Sequence, residues 1–75
     1  MGNATLSARR VWRLRKLHQS VDAELRPREA GGVELLFLLN GEVSYRQHWP
    51  SASPALEAAA RKRAELERDG WVFHW

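Results

Sequence analysis

Seventy-five residues with no cysteine leave room for one domain and exclude both a disulfide framework and a thiolate metal site. Twelve basic against nine acidic side chains give a net charge of +3, and five of the basic ones, Arg9, Arg10, Arg13, Arg15 and Lys16, precede Ser20 with no acidic residue among them. A chain this short buries only about 60% of the surface that its unfolded form exposes, so a second subunit is the expected source of further stability and we expect a homodimer.

Residues 1–8, "MGNATLSA", lack periodicity and read as a loose tail, leaving a single domain over residues 9–75. In "RVWRLRKLH", Arg10 to His18, a strand places Trp12 and Leu14 on one face and Val11, Arg13, Arg15 and Leu17 on the other. The spacing of Val11, Leu14 and Leu17 by three would also suit a helix, but the segment that follows has a clean period of two. There Val21, Ala23 and Leu25 point inward while Asp22, Glu24 and Arg26 point outward, so a turn near His18 to Ser20 makes the pair a hairpin. "RPREAGG" breaks the pattern through Pro27, Gly31 and Gly32.

"VELLFLLNGEVSYRQHW", Val33 to Trp49, is a second hairpin turned at Asn40-Gly41, a pair that accepts the positive φ of a tight turn. Regular pairing across a two-residue turn sets Leu38 opposite Val43, Phe37 opposite Ser44 and Leu36 opposite Tyr45. One face would then carry Leu36, Leu38, Val43, Tyr45 and Trp49. The other would carry Val33, Leu35, Phe37 and Leu39 beside Glu42, Ser44, Arg46 and His48. The first strand is apolar on both faces, so something must cover each: a helix on one, a second subunit or a ligand on part of the other.

That helix is written in "ALEAAARKRAELERD", with Ser53 as N-cap, Pro54 as first helical residue and Gly70 as the left-handed residue past the end. Leu56, Ala59, Ala60, Arg63 and Leu66 form its narrow apolar stripe. The closing "WVFHW" adds an edge strand or folds back under the helix. The expected fold is α+β: a four-stranded antiparallel meander with one C-terminal helix packed on one face.

Catalysis finds little support. Paired carboxylates, a serine beside a histidine and a glycine-rich phosphate loop all lack the necessary spacing, and Tyr45 and His48 fall on opposite faces. His18, His48 and His74 show no ligand spacing such as H-x3-H, so neither a metal nor a cofactor is expected. The mixed charges of the helix are those of a solvated surface. With no apolar run that would serve as a signal peptide or a membrane span, a cytoplasmic protein is expected. Not an enzyme, then, but a binding protein.

Basic side chains interleaved with aromatic ones suit single-stranded nucleic acid, the charges following phosphates while a ring stacks on a base. Arg9, Arg10, Arg13, Arg15, Lys16 and Arg46 are the candidates for phosphates, and Trp12 or Phe37 for stacking. The strand-strand-strand-strand-helix order over about residues 10–70 also resembles the small modules of the Pur-alpha, Whirly and positive cofactor four type. The resemblance is one of element order and length. It implies a twisted sheet backed by a helix, two copies together, and single-stranded DNA or RNA on the sheet side, and it assigns no role to any residue. The competing expectation is a protein-interaction or structural module, a small regulator or inhibitor included, that uses its apolar sheet face for self-association. Leu36, Leu38, Trp71, Phe73 and Trp75 would then be contacts between subunits.

Overall fold

The computed structural model describes residues 8–73, so all of the expected tail but Ala8, together with His74 and Trp75, lies outside the described residues. The elements are β1 (Arg9–Lys16), β2 (Gln19–Pro27), β3 (Val33–Leu39), β4 (Glu42–Trp49), α1 (Ala52–Arg68) and β5 (Val72–Phe73). They form one antiparallel sheet in the order β4-β3-β2-β1-β5, with α1 on one face. The fold class is the expected one. A fifth strand is added to the expected four, because the residues after the helix return to pair with the free edge of β1, Phe73 against Leu14 and Val72 against Arg15. Among the described residues no helix is long and apolar enough to cross a membrane.

Two bulges decide which side chains share a face. In β1 the register shifts between Arg10 and Trp12, leaving Val11 as the extra residue. Val11 therefore packs against the core beneath the helix and does not join Arg13 and Arg15 as strict alternation expects. In β4 the shift falls at Ser44: Leu38 pairs with Val43, but Phe37 pairs with Tyr45 and Leu36 with Arg46. The pairings expected for Leu36 with Tyr45 and for Phe37 with Ser44 are thus corrected. One inserted residue moves Tyr45, Gln47 and Trp49 to the helix side and Arg46 and His48 to the open side.

On the helix side a cross-strand row runs Trp12, Ala23, Phe37, Tyr45. The small Ala23 lets Trp12 and Phe37 approach to 5.9 Å between ring centroids, and Phe37 stacks on Tyr45 at 5.2 Å. Trp12 is buried and its Nε1–H donates to the Ala59 carbonyl at 3.0 Å, a bond that ties sheet to helix. Leu14, Leu25 and Leu35 complete the core with Ala55, Ala59 and Trp71.

The helix starts two residues before the sequence suggests. Ser51 occupies the N-cap position without a side-chain capping bond, and Pro54 is the third helical residue, still in the first turn where a missing N–H leaves no bond unmade. Its most buried line is Ala55 and Ala59; of the expected stripe Ala59 is buried and Leu56 and Leu66 pack on the core, while Ala60 is exposed. The C-terminus is a Schellman motif: Trp71 N–H donates to Leu66 O at 3.0 Å and Gly70 N–H to Glu67 O at 3.1 Å, with Gly70 at φ +101. This sharp stop drops Trp71 into the core and aims Val72 at β1. Trp71 is therefore a core residue and offers no surface for subunit contact.

Candidate functional site

Among the described residues no element covers the other face of the sheet, and the bulges gather the arginines there. Register gives four rows across this face: Arg26, Glu34, His48; Arg10, Glu24, Leu36, Arg46; Arg13, Asp22, Leu38, Val43; and Val72, Arg15, Ser20. Five arginines and a histidine thus face three carboxylates over an area spanning the whole sheet. Sequence reasoning missed Arg26 and His48. Arg26 is legible as an outward residue of β2 but was not connected with the basic segment, and His48 was read on the same face as Arg46 without being counted among the phosphate candidates.

The charges are partly organised. Asp22, nearly buried, accepts two bonds from Arg13, at 2.6 Å from Nε and 2.8 Å from Nη2, while Arg10 Nε stands 3.9 Å away. The hydrogen bond to Asp22 raises the pKa of Arg13, burial opposing it and the charge of Asp22 adding to it. Arg46 Nε lies 3.7 Å from Glu34. Arg28 Nη1 donates to His48 Nδ1 at 2.7 Å, so that ring nitrogen acts as the acceptor. Arg15 and Arg26 have no ion-pair partner among the described residues. They are the cations most available to an incoming anion.

Leu36 is fully buried although no described element lies over this face. It lies between Glu24 and Arg46 in its row, side chains with aliphatic stems long enough to shield it while their charged ends stay in water. Leu36 therefore offers no surface for the subunit contact expected of it. Leu38 is half-buried and Val43 exposed, forming a small apolar spot at one end of the arginine field.

Several expected site residues stand elsewhere. Trp12 and Phe37 lie on the helix side, Trp12 within the core, so neither ring shares a surface with Arg13, Arg15 or Arg46. Lys16 points to the helix side too: its Nζ donates to the Asp69 carbonyl at 2.6 Å, placing a cation against the negative end of the helix. Arg9 is exposed at the start of β1 opposite Leu25, apart from the arginine rows. Phe73, on the helix side at the β5 edge, sits beneath the Arg63 guanidinium at 5.2 Å.

The helix side has a second concavity. Between α1 and the β3–β4 hairpin a groove of about 480 Å³ has Leu35, Phe37, Leu39 and Tyr45 as its apolar floor and Arg61 and Lys62 on its lip. It exists because the helix reaches β4 only near its end at Trp49 and leaves Glu42 to His48 exposed. Tyr45 OH donates to Gln47 Oε1 along its wall. Among the described residues no cluster of three or more metal-ligating side chains occurs.

No family model, no curated protein and no solved structure matches this chain. The open face, with its own chemistry, carries the functional reading.

Proposed function

We propose that this protein is a small single-stranded DNA- or RNA-binding module, acting in the cytoplasm, whose open sheet face tracks the phosphate backbone. The observation that carries this reading is the gathering of Arg10, Arg13, Arg15, Arg26, Arg46 and His48 on one uncovered face. A flat antiparallel face is wide enough for an extended strand to lie across it, and arginine forks match phosphate oxygens geometrically. Asp22 and Glu34 hold Arg13 and Arg46 in place before a ligand arrives, which lowers the entropy lost on binding. Arg15 and Arg26 make no ion pair among the described residues and add exposed positive charge to the face.

Fluorescence anisotropy of a labelled single-stranded oligonucleotide tests this. Binding at low salt should weaken on a log-log salt plot with a slope of about −0.7 for each phosphate neutralised. An oligonucleotide left unbound at low salt sinks the proposal.

A second reading, a self-associating module with no nucleic-acid role, is favoured by the β4 edge. Every residue from Glu42 to His48 is exposed, so the outer backbone groups of an eight-residue strand are open to pairing with a second copy. Sedimentation at moderate salt separates the readings. A dimer that persists and ignores the oligonucleotide supports the second; a dimer that also carries the oligonucleotide joins the two.

A further inference from the structure

The turn between β1 and β2 departs from ordinary hairpin chemistry. Lys16 pairs with Gln19, so Leu17 and His18 are its two central residues, and Leu17 stands at φ +56 in the left-handed region. Glycine or asparagine is expected there, because a Cβ in that conformation crowds the following carbonyl. Leucine is bulky and has no polar side chain to form a compensating local bond. Leu17 is also 85% exposed, more than any other large hydrophobic side chain among the described residues. It is strained in its backbone and wet in its side chain, and nothing among the described residues accounts for either. Such an outlier points to a task outside the fold.

Its surroundings suggest which task. Arg15, two residues earlier, lies on the open face with exposed Val72 directly opposite. His18 shares the turn, while Lys16 reaches away toward Asp69. Leu17 is thus an apolar knob at the end of the arginine field. The arginines extend back from the knob over β1, β2 and β4, the footprint of an extended polyanion. A membrane-touching tip would instead collect its cations in a ring around the knob.

We infer that Leu17 is a wedge that packs against an unstacked base of the strand whose phosphates lie along Arg15 and its neighbours. The inference rests on the nucleic-acid reading and adds to it how a base would be met by a face on which none of the described Trp, Phe and Tyr rings lies. An aliphatic side chain pressed against a base excludes water without reading sequence.

The test compares wild type, Leu17→Gly, Leu17→Asn and Arg15→Gln on one labelled single-stranded oligonucleotide, with thermal melts alongside. Both Leu17 variants suit a positive φ, so they should melt higher by roughly 4 °C. They should nevertheless bind about tenfold more weakly, the loss expected when one apolar side chain stays exposed, with the salt slope unchanged. Arg15→Gln should reduce the slope by about 0.7. Affinity within twofold of wild type in both Leu17 variants, beside a normal Arg15→Gln response, would overturn the wedge and leave the phosphate-tracking face standing. Failure of wild type itself to bind would bring down both. Leu17-dependent binding to phosphatidylglycerol vesicles, with no binding of the oligonucleotide, would overturn the wedge in favour of a membrane-contacting tip.

Discussion

The two hairpins are built alike and used differently. Each has strands of seven to nine residues, a two-residue turn and one bulge. In β1–β2 the bulge comes before the turn and keeps Val11 and Trp12 together under the helix, so the helix side of the hairpin is core. In β3–β4 the bulge follows the turn and sends Arg46 and His48 to the open face, and β4 is left exposed nearly throughout. The turns differ in the same sense. Asn40-Gly41, at φ +53 and +88, carries the residues that its conformation asks for, whereas Leu17 does not. One hairpin anchors the fold and presents a strained tip; the other has a relaxed tip and an open edge. Stability and exposure are therefore divided between hairpins, and each division can be broken by substitution.

The largest effect is expected along the row from Trp12 to Tyr45. Trp12→Ala removes a buried ring and the bond to Ala59 O, at a cost of about 3–5 kcal/mol. For a domain of this size that is most of the total stability. Tyr45→Ala, three strands away in the same row, removes a ring that is 43% exposed and should cost about 1 kcal/mol. Trp12→Phe keeps the hydrophobe and loses the hydrogen bond, falling between the two. Urea melts of the three variants measure the gradient. Equal losses for Trp12→Ala and Tyr45→Ala would show that the helix does not favour the first hairpin.

Deleting Ser44 tests the second bulge. Without the extra residue Val43 still meets Leu38 and Tyr45 still meets Phe37, now as consecutive positions of a regular ladder, so Tyr45 and Trp49 stay on the helix side and Arg46 and His48 on the open side. The expected cost is about 1–2 kcal/mol, from the lost Ser44 bond to the Phe37 carbonyl and the twist that the bulge gives β4. Oligonucleotide binding should stay close to that of wild type, because Arg46 keeps its place in the arginine field. A deletion that abolishes binding while the protein remains folded would mean that pairing with β3 does not fix the faces of β4.

The same bulge marks where the sequence could be read and where it could not. Period-two stretches, Asn40-Gly41 and Gly70 are local signals with local causes, and they located both hairpins and the end of the helix. The bulges at Val11 and Ser44 are tertiary choices: nothing in "RVW" or "EVSY" distinguishes a bulged strand from a regular one. Every residue beyond Ser44 in β4 was consequently assigned to the wrong side, and the aromatic and basic candidates seemed to share a face that they do not share. Leu36 shows the other limit. It is fully buried on the face away from the helix, between the long ionic side chains of Glu24 and Arg46, and alternation cannot reveal that. Arg13 and Arg15 were readable as partners on one face because no bulge intervenes between them.

Asp22→Asn separates stability from binding on the open face. The neutral side chain keeps its shape but loses the charge that holds Arg13, which should cost about 1–2 kcal/mol. The open face gains one positive charge and frees a guanidinium, so affinity for the oligonucleotide should rise severalfold with a steeper salt slope. Equilibrium unfolding and anisotropy on the same preparation check both signs. Weaker binding would show that Asp22 contributes chiefly by holding Arg13 in position, and that ordering outweighs charge.

The smallest effect returns to the turns. Asn40 N–H donates to Ser20 O at 2.9 Å, and Asn40 Oδ1 accepts from Ser20 N–H at 3.0 Å, so this residue ties the tip of the second hairpin to the first. Asn40→Gly retains the backbone freedom and loses only the side-chain bond, at an expected cost of about 0.5–1 kcal/mol. Leu17→Gly should shift stability by a similar amount with the opposite sign, since no bond is lost there and strain is relieved. The pair can be measured by denaturant midpoints at constant slope. If both substitutions stabilised the protein, Asn40 would be there for its conformation alone and the bond to Ser20 would be worth nothing. If both destabilised it, Leu17 would be making a contact within the chain, and its exposure would no longer mark it for a partner.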